Sequence, residues 1–154
     1  MGWVVWAGLL PVCAVAAAIV LLHLARRVLR ETRVESARDQ FRRQREWLEA
    51  RFLTALAKLD PEERLRWEDA HWHDEVLYAR DRQTRRLLAL IGVHFDPDPL
   101  DLDAGPYPRH ATALFEFRKG QWNADGKRLD HVRPDEAFLR NQRFVQIVLP
   151  ERRV

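Results

Sequence analysis

The sequence predicts a mainly α protein: one N-terminal transmembrane helix, two long amphipathic helices paired as a hairpin or a coiled coil, and a small C-terminal α+β unit. Three observations carry that prediction. The 23 residues from Trp3 to Ala25 include no Asp, Glu, Lys or Arg. Residues 26–59 lack Gly and Pro and repeat apolar residues at helical spacing. From His110 onward the pattern changes to alternation with period two. The 154 residues thus divide into an anchor (1–25), a helical region (26–92), a Pro- and Asp-rich linker (93–109) and the terminal unit (110–154).

At ~1.5 Å per residue the first segment spans roughly 34 Å as a helix, enough for a ~30 Å hydrocarbon core. Trp3 and Trp6 suit one membrane interface. Arg26, Arg27, Arg30 and Arg33 suit the other, and nothing basic precedes the segment. Positive flanks stay inside, which predicts a single-pass inner-membrane protein with its N-terminus outside and its C-terminus in the cytoplasm. The bilayer is then one partner. A cleaved signal peptide would need a basic leader and a shorter apolar core. Cys13 is the one cysteine, so an intrachain disulfide is excluded.

The mean hydropathy of −0.42 averages this segment with a much more polar remainder. Charge is also uneven: residues 26–59 hold ten basic and five acidic side chains, within an overall net charge of +3. The apolar stripe here runs Val34, Ala37, Phe41, Leu48, Phe52, Ala55, Leu59, close to a heptad. Asp60-Pro61-Glu62-Glu63 then carries a capping residue, a first-turn proline and a capping-box carboxylate. A second helix is predicted from about residue 61 to Gly92, with Leu65, Trp72, Val76, Ala79, Leu87 and Leu90 along one face. Self-association or a protein partner would use the stripe residues Val34, Phe41, Leu48, Phe52, Leu65, Trp72 and Val76.

Residues 95–109 hold four Asp and four Pro, a spacer whose aspartates lack EF-hand spacing. In the terminal unit, turns are predicted at Lys119-Gly120 and Asn123–Gly126, a short helix from Pro134 to about Asn141, and a last strand from Arg143 to Leu149. Phe115, Phe117, Trp122, Phe138 and Phe144 are its predicted core.

His71-Trp72-His73-Asp74-Glu75 is the one cluster of metal-ligand residue types. On a helix His71 and His73 would point ~200° apart, whereas His71 and Glu75 would share a face. Two ligands do not make a metal site, and a third would have to come from His94, His110 or His131. No metal or cofactor is therefore assigned, with His71 and Glu75 as weak candidates. Ser36 is the one serine, and neither a phosphate loop nor a nucleophile elbow occurs. The juxtamembrane arginines lack the interleaved aromatics of a nucleic-acid surface, so nucleic acid is not expected as a partner. These readings point to a non-enzymatic, membrane-anchored interaction or scaffold protein, an accessory subunit of a larger assembly. The alternative is a periplasmic helical-hairpin sensor or metal-responsive protein. Leu59-Asp60-Pro61-Glu62-Glu63 at the turn of an anchored hairpin resembles bacterial heavy-metal-resistance hairpin proteins, although the arginine asymmetry departs from their topology.

Overall fold

The computed structural model describes residues 3–59, 61–95, 110–140 and 142–148; side chains of residues 3–17, 26–31 and 62–65 lie outside the description. The chain divides into two units, residues 1–38 and 39–154, each taken by itself. One helix, α1 (Trp3–Leu59), runs through both. In the first unit every described residue from Ala18 to Ala25 is exposed, including Ile19, Val20, Leu21, Leu22 and Leu24.

The second unit is built on an antiparallel sheet. After α2 (Pro61–Glu68) come β1 (His71–Asp81), β2 (Leu87–His94), β3 (His110–Arg118), β4 (Gln121–Asn123), β5 (Arg128–Asp130), α3 (Pro134–Arg140) and β6 (Phe144–Gln146). The strand order is β4-β3-β2-β1-β6, with β5 also pairing with β3. β4 and β5 lie one after the other along the same edge, on residues 116–118 and 111–113 of β3.

Aromatic side chains join α1 to one face of this sheet. Phe41 meets Phe115, Trp122 and Tyr78 with ring centroids 5.3, 4.9 and 6.2 Å away. Two and three turns on, Leu48 and Phe52 are fully buried, and Phe52 packs on Trp67, Trp72 and Phe115. The opposite face carries a second cluster, Ala79, Leu88, Leu90, Ala137 and Phe144, beneath α3. Burying both faces explains β2. Its run Leu87–Val93 is buried without a break, because neither side of the strand meets water.

These observations correct the predicted fold class. The chain is not mainly α: the predicted helix over 61–92 stops at Glu68, and the remainder forms β1 and β2. Helical spacing along Trp72, Val76, Ala79, Leu87 and Leu90 arose from residues belonging to two strands. The decisive local chemistry is at Asp81. Its Oδ1 accepts the backbone N–H groups of Gln83 and Thr84, folding 81–86 into a turn that reverses the chain. Gly92 is no helix terminator but an interior residue of β2. With one long helix among the described residues, the helical hairpin and the coiled coil fall, and so does the resemblance built on them.

The single-pass membrane prediction is corrected as well. Among the described residues no helix is long and apolar enough to cross a membrane. The inner-membrane localisation and its orientation lose their basis with it. The interface residues proposed for that span, Trp3, Trp6, Arg26, Arg27 and Arg30, have side chains outside the described set, and Arg33 is exposed on α1.

In the C-terminal segment the turns and the short helix lie where the sequence predicts them. The hairpin turn has Lys119 and Gly120 at φ 50° and 80°, Gly126 sits at φ 71°, and α3 and β6 occupy their expected places. Phe115, Trp122 and Phe144 are buried, while Phe117 and Phe138 are half-buried.

Candidate functional site

A cleft with a volume of about 850 Å³ opens on the α3 face, at one end of β1, β2 and β3. Strand register builds it. His71 of β1 pairs with His94 of β2, and His94 pairs with His110 of β3. Directly opposed residues on antiparallel strands project to the same face with Cβ atoms about 4.5–5.5 Å apart. Three imidazoles therefore stand in one row across three strands.

A fourth comes from the irregular part of β1. Trp72 pairs with Val93 but Val76 pairs with Ile91, so three residues, His73 to Glu75, stand opposite Gly92 alone. This bulge leaves Trp72 turned toward Phe52 and lays the His73 ring over Gly92. A Cβ on Gly92 would lie 3.4 Å from His73 Cδ2 and 3.3 Å from both Cγ and Cδ of Pro134. Hydrogen at this position lets the histidine and the start of α3 close over the sheet together. Arg45 of α1 braces the bulge: its guanidinium donates to the carbonyl oxygens of Asp74, at 2.7 Å, and His73, and its Nε bonds Glu49 at 2.7 Å.

Glu75, Arg133, Asp135 and Glu136 complete the polar lining. Arg133 is paired with Glu136 at 3.2 Å, and Arg140 also reaches that carboxylate at 3.3 Å. The wall thus carries three carboxylates against one guanidinium.

The structure brings both weak sequence candidates, His71 and Glu75, into this cleft on a strand rather than a helix. That change of period reverses the earlier geometry: i and i+2 diverge on a helix but share a face on a strand. His94 and His110 join them, whereas His131 is exposed on a turn, its backbone N–H bonded to His110 O. Sequence reasoning set His73 aside because a helix would turn it away from His71; the signal in its favour was the H-x-H pattern at a strand start. Among the described residues no three His, Cys, Asp or Glu side chains already stand so as to hold a metal ion.

Comparison with protein-family models, curated proteins and solved structures found no match.

A second, smaller cleft of about 380 Å³ holds the buried charges. Asp81 accepts two hydrogen bonds from Arg143, at 3.0 and 2.7 Å. Those bonds hold its carboxyl well below the usual carboxylate range against the opposing effect of burial, helped by Gln83 and Thr84. Glu116 meets Arg86 at 2.7 Å, Arg118 at 3.4 Å and Lys127 at 3.5 Å. Burial pushes its carboxyl up, but the Arg86 hydrogen bond and the nearby cations outweigh it and leave the net shift downward. Carboxylates held ionised in this way are poor proton donors.

Proposed function

We propose that this chain is a non-enzymatic interaction protein, an accessory or scaffold subunit that joins an assembly through the N-terminal part of α1. The observation that carries this reading is the exposure of Ile19, Val20, Leu21, Leu22 and Leu24, each at least half exposed. A helix apolar around its circumference needs a covering surface, because contiguous exposed apolar area of this kind is rare on proteins that act alone. The buried carboxylates add support. Asp81 and Glu116 are committed to guanidinium partners, which suits a structural role better than acid–base work.

Photo-crosslinking of the full chain in its native host tests the reading. A photoreactive residue replacing Leu21 should give a discrete protein adduct, from a second copy or another chain. The same probe at Trp47, exposed on α1 in the other unit, should give none. Labelling of lipid alone at position 21, or no protein adduct, would refute it.

The four-imidazole cleft favours a second reading, a metal-responsive protein.

A further inference from the structure

We propose that the cleft binds one divalent transition-metal ion of the zinc, nickel or copper class, with His94 as the central ligand and His71 and His110 flanking it. This inference is independent of how α1 engages a partner.

The register supplies the framework. His71, His94 and His110 occupy matched positions on adjacent strands, so their Cα–Cβ bonds leave the sheet on one side. Two nitrogens on one tetrahedral ion, each ~2.0–2.1 Å from it, stand about 3.3 Å apart. Opposed Cβ atoms about 5 Å apart let imidazole heads converge to that spacing. The outer pair, two strand spacings or about 9.6 Å apart, is also within range. Each flanking ring can extend its far nitrogen over β2, while His94 below uses its nearer one.

His73, lying over Gly92 one step along the same face, can complete a fourth position. The donors do not stand in place already. Binding therefore turns side chains about their own bonds and leaves the strands where they are. His71, His73 and His94 are exposed, so an ion reaches them from solvent.

Charge selects a cation over an anion. Glu75, Asp135 and Glu136 face the cleft; Glu136 is balanced by Arg133 and Arg140, which leaves Glu75 and Asp135 as the net negative charge there. An all-imidazole donor set with carboxylates behind it selects borderline metals over magnesium or calcium, which take oxygen ligands. The brace from Arg45 to the His73 and Asp74 carbonyls holds the bulge that carries the fourth imidazole.

The test is calorimetric titration of zinc chloride into the full-length chain at neutral pH, with cobalt absorption as a second readout. One ion per chain is expected. His94→Ala and His94→Asn should each weaken binding about tenfold or more, as should His71→Ala combined with His110→Ala. His131→Ala, outside the cleft, should leave affinity within about twofold, a change of ~0.4 kcal/mol. Cobalt should give the visible bands of a tetrahedral nitrogen site without thiolate charge transfer, which separates this site from Cys13. Zinc affinity unchanged in both His94 variants, a thiolate signature, or only weak uptake of several ions would overturn the proposal. Folding of each variant is verified by its circular dichroism and melting temperature.

Discussion

Replacing Phe52 by alanine tests whether the apolar stripe of α1 is a core of the chain's own making or a seam for another helix. Phe52 is fully buried, with ring centroids of Trp67, Trp72 and Phe115 at 5.0, 5.7 and 5.7 Å. A buried phenylalanine truncated to alanine loses the transfer free energy of its ring and leaves a cavity, together about 3–5 kcal/mol. The loss should fall near 4 kcal/mol, since three aromatic neighbours cannot all collapse into the gap. Set against a typical total of about 5–15 kcal/mol, this leaves a marginal fold. Urea unfolding followed by tryptophan fluorescence reads it, because Trp67 and Trp72 border the site. Trp47→Ala is the control. That ring is 53% exposed and its main partner is the Arg51 guanidinium 5.1 Å away, so its loss should cost about 0.5 kcal/mol. The Phe52→Ala loss should also be independent of protein concentration. A loss below about 1 kcal/mol, or one that grows on dilution, would mean the stripe is buried between chains.

Acid should expose the role of the buried carboxylates. Asp81 and Glu116 both have folded-state pKa values below their unfolded ones, so their contribution is complete above the unfolded range of about 4 and is lost as pH falls through the lowered values. Melting temperature should therefore fall below about pH 4, and Asp81→Asn, which removes the charge facing Arg143, should reduce the drop and cost about 2–3 kcal/mol at neutral pH. A variant as stable as the parent by urea unfolding would contradict this. Gly92→Ala places a methyl 3.3 Å from Pro134 and 3.4 Å from His73. Overpacking of about 1–3 kcal/mol should outweigh the ~0.4–1 kcal/mol gained from a stiffer unfolded chain, a net loss seen as a lower urea midpoint.

Much of the terminal segment was legible because its signals are local. Lys119-Gly120 needs left-handed backbone, Pro134-Asp135-Glu136 opens a helix, and the alternation through Phe115 and Phe117 shows which face is buried. The stripe Phe41, Leu48, Phe52 was equally visible, but its partner was not. A helical stripe records that a face is covered and says nothing of whether a helix or a sheet covers it. Residues 71–94 misled for a different reason. β2 is buried on both sides and has no alternation to display, and β1 is broken by its bulge, so the arginines, leucines and alanines around them satisfied a helical period. The cleft followed the same error. With His71 and His73 placed on a helix they diverge, and only the pairing of β1 with β2 and β2 with β3 brings His94 and His110 beside them.

The bulge at His73–Glu75 has a consequence for aggregation. β1 carries 11 residues, but β6 pairs with Ala79, Arg80 and Asp81 alone. A straight β1 would offer a run of backbone donors and acceptors to a passing strand from another molecule. The extra residues twist that margin out of register, and Arg45 occupies two of its carbonyl oxygens. At the far margin β4 and β5 divide β3 between two strands of three residues each. Among the described residues neither border presents the long, flat template that edge-to-edge stacking requires, so this sheet is shaped to remain finite.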